Sequence, residues 1–582
     1  MSQSAKLRSS SATASRLLRQ AALVAAGMSA ITAQAASGTF STLSYNVAGL
    51  PQGVSSATTD RTTATKLISC YVKAFDIVNV QEDFNYHAAL YDTCDDHAYR
   101  SPTSGGAGIG SGLNSLSRFP YEDWDRVRWK DCNGVDCLTP KGFTMARVRL
   151  ASGVFVDVYN LHAQAQTEPA DLTARRKNIL QLLSYIENES AGNAVIVFGD
   201  TNTRYTRSGD NIGQFLRHGF TDVWVQRTRS GSVPAAGADA LTCSPLVTSG
   251  SCEIVDKFFY RSGANVTLSP TSYQLRSDAV DAKGADLSDH PPISATWNWS
   301  TDDKQSLSDK FGGPHGTNFN DSSLLPASPA VKTLNIRTAE RVDRVETVLS
   351  NGFPFGHGGV GGNLQTLTLG SGEYLKSMSA CTVQVNGQTR VSRVSFTTSA
   401  NRSLSGGTAT SSCTTYSAPS GWAIVAFHGR AGDEVDKLGV VYAPVASNTG
   451  GVAQRMRFVN KQSGRCMDLS QSKAANGSNV AQWYCNGGAN QTWLYDDTSG
   501  LVRSGQDPHY CLDNTGSFDN GADIILWACS GNANQRFTYD SASGALRMRT
   551  YLEQAVDGNM SDYDIRTYQY WNGANQSWNL TP

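Results

Sequence analysis

No CxxC pair stands among the twelve cysteines of this chain, which excludes the commonest zinc frameworks. Past the N-terminal segment, no run approaches the roughly twenty apolar residues that a membrane-spanning helix needs. Charge is scarce as well. Only 17% of residues are Asp, Glu, Lys or Arg, and the net charge is −1. Residues 36–300 carry a mild acidic excess and no basic stripe, so a broad cationic surface for a nucleic-acid backbone is missing. The chain is rich instead in glycine, 54 residues of it, which with so few charges favours turn-rich β structure over helical bundles. At 582 residues it has room for three or four domains.

The first residues read as a secretory signal. Lys6, Arg8, Arg16 and Arg19 precede the apolar AALVAAGMSAITA, and small residues follow up to Ala36. Residues 1–35 are therefore expected to be removed, leaving a secreted, extracellular, soluble protein that acts as a monomer. Cysteine usage fits export. Local pairs are Cys132 with Cys137, Cys243 with Cys252, Cys466 with Cys485 and Cys511 with Cys529.

Up to about residue 300, buried-strand patterns (FSTLSYNV, FDIVNVQ, FVDVYNLH, AVIVFGD, IVDKFFYR) alternate with one clear helical pattern, DLTARRKNILQLLSYIENES. Its helical spacing puts Leu172, Ile179, Leu180, Leu183 and Ile186 on one face, and Asp171 near the start complements the helix dipole. This mixture predicts an α/β sandwich. Polar STDDKQSLSD reads as a linker, the Gly-, Ser- and Thr-rich region to 446 as all-β, and SNTGG as a second linker. The Gly-rich SGGAGIGSG at 104–112 has no GxGxxG spacing and reads as a surface loop.

From 452 onward the chain repeats. Asp468, Asp513 and Asp557 recur about every 45 residues, and the pairs Asn490-Gln491, Asn534-Gln535 and Asn575-Gln576 keep pace. In the third repeat Ala555 and Tyr570 replace both cysteines. That joint loss supports Cys466–Cys485 and Cys511–Cys529 as bridges within repeats.

The strand ends of the first region carry polar groups: Asn46, Glu82, His162, Asp200 with Asn202, Asp256, and the adjacent Asp289 and His290. Groups that follow buried apolar runs gather at one edge of a sheet. Asp200 and Asn202, two apart, can point the same way. Carboxylate and amide oxygens suit a hard cation such as Mg²⁺, and two histidines with a spare Asp suit water activation.

The segments SYNVAGLP, VQED, NLHAQA, GDTN, VDKFFY and SDHPP resemble the endonuclease/exonuclease/phosphatase superfamily, and over about 260 residues they imply its four-layer DNase I-like sandwich for 36–300. The resemblance implies a metal-dependent phosphodiesterase. Glu82, with Asn46 nearby, would hold Mg²⁺ or another divalent cation, and Asp289 would belong to the metal and phosphate site. His290 would be the general base and Asp256 its partner. Asp200 and Asn202 would position water and phosphate oxygens, and His162 would stabilise developing charge. Many relatives carry a basic residue before the Asp of the VDKFFY strand; Val255 stands there. NLHAQA is similar to a stretch of sphingomyelinases, which points to a membrane phospholipid, with nucleic acid as the alternative substrate.

FGGPHGTNF, HGGVGG and AFHGRAGDEVDKLGVVYAP resemble jacalin-like β-prism lectins over 304–446. Gly313 would belong to the glycine-rich loop and Gly432 to Asp436 would form the sugar loop, made unusually acidic by Asp433 and Glu434. Residues 452–582 resemble ricin B-type β-trefoils. There an aromatic face stacks on a sugar ring while carboxylate and amide take its hydroxyls. The implied sites are Asp468, Trp483, Asn490 and Gln491; Asp513, Trp527, Asn534 and Gln535; and Asp557, Tyr568, Asn575 and Gln576. Glycans are thus expected partners. A nuclease tethered by lectins, and a lectin with an inactive enzyme domain, remain alternatives.

Overall fold

The computed structural model describes residues 35–103, 110–242, 250–515 and 518–582. Residues 1–34 of the expected signal segment, most of the 104–112 loop and Cys243 lie outside them.

Two six-stranded sheets build the first domain. In one, strand Ser37–Asn46 lies between Ile77–Gln81, parallel to it, and Ile293–Ser300, antiparallel to it. In the other, Val154–His162 runs parallel to Ala194–Asp200, which pairs antiparallel with Asp256–Arg261. The sheets pack face to face on a core that includes Phe40, Ile196, Phe198, Phe258 and Trp297. Helix Arg61–Val72 covers the outer face of the first sheet, and helix Pro169–Glu189 that of the second. The result is the four-layer α/β sandwich expected. A network of buried amides crosses between the sheets near the functional edge. Asn79 Nδ2 donates to the carbonyls of Tyr159 and Phe198, and Gln81 Nε2 donates to Asn160 Oδ1 at 2.7 Å. These bonds register the two halves against each other.

The long helix starts at Pro169, with Glu168 and Asp171 forming a reciprocal capping box. Its buried stripe is Ile179, Leu182, Leu183 and Ile186, at i, i+3, i+4 and i+7. Leu180, expected on that face, sits about 100° round the helix from Ile179 and is partly exposed. The first helix escaped the sequence reading because its inner stripe is only Ala64, Ile68 and Val72 among threonines.

Residues 306–444 form a nine-stranded and a four-stranded sheet closed on one apolar core, and 457–581 form a twelve-stranded trefoil. The trefoil centres on buried Trp493, Phe537 and Trp578, one per repeat. Cys132–Cys137, Cys466–Cys485 and Cys511–Cys529 are bonded as paired from sequence; Cys70–Cys94 and Cys381–Cys413 were not read there.

The stretch expected to be a linker is pinned down. Asp309 accepts a bond from Arg149 at 2.9 Å, and Ser306–Leu307 joins the second domain's sheet. Beside it, buried Asp123 of the first domain takes Arg147 at 2.9 Å together with Lys437 at 2.8 Å and Lys310 at 3.6 Å from the second. Burial alone would raise the Asp123 carboxyl, but Lys310, Arg147 and Lys437 hold it well below the usual carboxylate range. A depressed folded pKa gives stability that is present above the unfolded value and lost only as pH falls through the folded one. This joint should therefore stay intact down through the ordinary carboxylate range. Asp123→Ala strands buried Lys437, while Arg147 keeps Asp157 and Lys310 keeps Glu122, and should cost about 3 kcal/mol, read as a lowered denaturant midpoint.

Candidate active site

The candidate groups converge on one edge of the sandwich. Asn46, His162 and Asp200 end parallel strands, Asp256 begins the strand opposite Asp200, and Asp289 and His290 lead into Ile293–Ser300. Glu82, Ala48 and Asn202 turn out of their strands with φ of 58°, 47° and 52°. That left-handed backbone is costly for non-glycine residues and is held here by the surrounding bonds.

His290 Nδ1 lies 2.8 Å from Asp256 Oδ2, and its Nε2 lies 3.9 Å from Asp200 Oδ2. His162 Nε2 approaches the same Asp200 oxygen to 3.5 Å. Asn46 Nδ2 donates to Glu82 Oε1 at 3.1 Å and to Asp200 Oδ2 at 3.2 Å. Asn202 donates its N–H to Asp200 Oδ1 at 2.9 Å and its side-chain amide to the Ala163 carbonyl. Asn46, His162, Asp200 and Asp256 are buried, whereas His290 is partly open to solvent.

The electrostatics separate the two imidazoles. Burial works against charge on His290, but Asp256, Asp200 and Asp289 outweigh it and raise its pKa well above the usual histidine value. Burial, with Lys141 and His290 adding to it, pushes His162 well below that value. Burial and the Asp256 charge raise Asp200. One histidine is thus tuned to hold a proton and the other to stay neutral.

The expected metal set changes in detail. Asn46 turns its amide nitrogen, not its oxygen, to the carboxylates, because its oxygen accepts from the Ala48 N–H. It therefore clamps Glu82 against Asp200. Asp289 is exposed on the rim with its Oδ1 near Ser288 Oγ at 3.3 Å, so it does not join Glu82 in a closed set. The described residues whose donor atoms do crowd together, within 4.8 Å, are Asp200, Asp256 and His290. Asp256 Oδ1 has no hydrogen-bond partner among the described residues. Convergent carboxylates with an unsatisfied buried oxygen fit a hard divalent cation.

Several positioning residues were missed in the sequence. Buried Arg61 donates to the carbonyls of Val47, Ala48 and Leu287, tying the turn after Asn46 to the loop before Asp289. Nothing in RTTATK announces this, since an arginine at a helix start reads as surface. Arg61→Met should leave those carbonyls unpaired, costing about 2–4 kcal/mol and lowering turnover, as checked by thermal melts beside initial rates. Ser288 Oγ donates to the Asn46 carbonyl at 2.6 Å, and Trp129 Nε1 to the His162 carbonyl at 2.7 Å. Lys257, next to Asp256, points away and donates to the Ile254 carbonyl, so it does not replace the absent basic residue.

Apolar tips surround this edge. The 132–138 loop, closed by its disulfide, is tied beside His162 through Asn133 N–H to Gln164 and Ala165 N–H to Asp136. It raises Val135 (74% exposed) and Leu138 (82%), and the loop after Asn46 raises Val54 (67%).

In the trefoil, Asn490 donates to Asp468 at 2.8 Å, and Asn534 to Asp513 and Asn575 to Asp557 at 2.9 Å. Gln491, Gln535 and Gln576 are fully buried and bond loop carbonyls, and the first two also bond their repeat's Asp. They brace the sites and cannot reach a sugar. Trp483 and Trp527 are exposed indoles facing Cys466 and Cys511 across their hairpins. Tyr568 holds the matching place and is half-buried, while exposed Trp571 nearby was missed. In the second domain Gly313 donates its N–H to the Asp436 carbonyl at 2.8 Å, and a Cβ there would strike Thr389 O. The Gly432 N–H bonds the Glu434 carbonyl. The acidity expected of this loop is offset in part: Glu434 pairs with Arg341 and Arg390, and Asp436 is buried beside Arg390, while Asp433 is exposed.

Comparisons with known proteins match three domain families in the order of the three domains. Residues 50–237 match Endonuclease/Exonuclease/phosphatase family 2, residues 308–441 the jacalin-like lectin domain, and residues 454–578 the ricin-type β-trefoil lectin domain. The first match contains Glu82, His162, Asp200 and Asn202; Asn46, Asp256, Asp289 and His290 lie beyond its ends. Sphingomyelinases of Mycobacterium bovis and Mycobacterium tuberculosis are 39% identical over 274 residues, covering 46% of this chain and 54% of theirs. The chain therefore spans about half the length of the curated relatives it matches. Among solved structures, the beta toxin of Staphylococcus aureus aligns with 44% of this chain and 99% of its own, at 19% identity and a TM-score of 0.33.

Proposed function

We propose that this chain, an endonuclease/exonuclease/phosphatase domain followed by jacalin-like and ricin-type lectin domains, is a secreted, Mg²⁺-dependent phosphodiesterase that cleaves sphingomyelin on glycan-bearing membranes. The observation that carries the chemistry is the Asp256–His290 pair beside Asp200, with neutral His162 opposite. His290 Nε2 is the atom available to take a proton from water, and Asp256 fixes the ring through Nδ1. His162, kept neutral, donates a hydrogen bond to the leaving or non-bridging oxygen without repelling the cation. Asn202 and Asp200 orient the attacking water and phosphate. Glu82, Asp200 and the unpartnered Asp256 oxygen would line the cation's place, with Asn46 clamping Glu82 to Asp200 and Asp289 at the rim toward the phosphate. When bound, the cation supplies charge neutralisation at the phosphoryl oxygens. Its charge also offsets the carboxylates that keep His290 protonated.

A lipid substrate is favoured by the identity to the two sphingomyelinases and by the exposed aliphatic tips Val54, Val135 and Leu138 on the two loops that follow Asn46 and brace the turn after His162. The domains at 36–300, 304–446 and 452–582 would act as a monomer, with several weak sugar sites adding avidity to membrane attachment. Phosphocholine release from sphingomyelin vesicles tests the reading. Release with Mg²⁺ that stops on chelation and returns on adding Mg²⁺ is expected. Release indifferent to chelation contradicts the cation's place.

A further inference from the structure

The three trefoil repeats carry similar sugar-site residues but do not share one environment. The second repeat opens into a cavity of about 1040 Å³ that all three domains line. Asp513, Asn534 and Trp527 (41% exposed) form the trefoil wall. Leu180, Glu187 and His218 come from the first domain, and His357 and Val360 from the second. Neither Asp468 nor Asp557 lines this space.

The wall mixes charged, polar and apolar side chains. Glu187 and His218 are more than nine-tenths buried, and Glu187 Oε2 and His218 Nε2 have no hydrogen-bond partner among the described residues. Each residue uses its other polar atom: His218 Nδ1 meets Glu187 Oε1 at 3.2 Å. Asn534 Oδ1 is also unpartnered. Those three atoms are shut off from solvent within the wall, so the contacts offered to an occupant are those of Asp513, Trp527 and the facing side chains. Trp527 supplies the aromatic face that a sugar ring stacks on. Burial, with the Glu187 charge adding to it, pushes the Asp513 carboxyl up to about 7, in keeping with an enclosed site.

The loop that presents Asn534 is held by both other domains. Asn532 Nδ2 donates to the Glu187 carbonyl, and Arg536 Nη2 to the Ser323 carbonyl at 2.9 Å. The enclosure is thus bonded in place. Its volume is at the top of the range for small-molecule sites, about 300–1,000 Å³, and exceeds what a single hexose fills.

We propose that the second trefoil repeat and the facing walls of the other two domains form one composite site for a neutral oligosaccharide. The first and third repeats remain open for surface glycans. The proposal rests on the trefoil being a lectin, and the test separates the two.

The test uses the full chain carrying Asp468→Ala, Asp557→Ala and Asp436→Ala, which silences the other candidate sugar sites. It is titrated calorimetrically with neutral mono- to tetrasaccharides ending in galactose, glucose, mannose or N-acetylhexosamine. At least one oligosaccharide should bind at least tenfold tighter than its terminal monosaccharide. Trp527→Ala should abolish that binding. Leu180→Trp and Val360→Trp, which fill the cavity from outside the trefoil, should each weaken it at least tenfold while the melting temperature and phosphodiesterase rate hold. If the unsilenced chain binds sugars and the silenced one binds none, the lectin reading stands and the composite site is overturned. Unchanged affinity in both filling variants overturns it as well. If the unsilenced chain binds no sugar, both fall.

Discussion

His290→Ala is expected to lower phosphodiester hydrolysis by about 10²–10⁴-fold while leaving the melting temperature nearly unchanged. The loss follows from geometry: Nε2 of His290 faces the Asp200 side of the pocket, and no second base is poised there, because burial lowers the His162 pKa and makes it a poor proton acceptor, with Nε2 already against Asp200. The fold should tolerate the change, since the ring is partly exposed and its polar contacts are confined to the site. Asp256→Asn separates orientation from charge. It keeps a hydrogen-bonding group at Nδ1 but removes the largest influence raising the His290 pKa. A base works only when deprotonated, so lowering its pKa must move the acid limb of the kcat/KM profile to lower pH. An acid limb that stays in place would remove Asp256 from that role.

The double variant Val135→Ser/Leu138→Ser is expected to slow hydrolysis of sphingomyelin vesicles by about thirtyfold to nearly a thousandfold, because burying even part of two aliphatic side chains contributes about 2–4 kcal/mol. Turnover of a short-chain, monomeric sphingomyelin should be unaffected. Both side chains stand clear of the protein on a loop fixed by Cys132–Cys137 and by Asp136, which bonds the Ala165 N–H at 2.7 Å and pairs with Lys141 at 2.9 Å. They contact the bilayer in this reading and leave the reacting atoms alone. An equal loss on both substrates would mean that the loop shapes the active site instead.

Much of this was legible in the sequence because it depends on local pattern. Buried strands such as AVIVFGD end in the polar residues that the sheet edge then collects, so the grouping of the candidate residues at one edge could be read before any fold was known. The trefoil was legible through its period, and the two within-repeat disulfides through their joint loss in the third repeat. What escaped depends on direction and on distant partners. Leu180 belongs to an apolar run, yet helical geometry turns it away from the core and into the interdomain cavity. Arg61 looks like a surface charge and is instead buried on three carbonyls. Asn46 carries the right donor types for a cation, but a backbone N–H two residues on claims its oxygen. The loop at 433–436 read as unusually acidic because the arginines that answer Glu434, Arg341 and Arg390, are far away in the sequence.

The most direct test of the central claim sets sphingomyelin vesicles and supercoiled plasmid side by side, with Mg²⁺, the mature chain and its His290→Ala variant. Phosphocholine release by the wild type that His290→Ala abolishes, with the plasmid left intact, is the predicted result. Plasmid nicking that His290→Ala abolishes, with no phosphocholine released, would contradict it and make this a glycan-tethered nuclease.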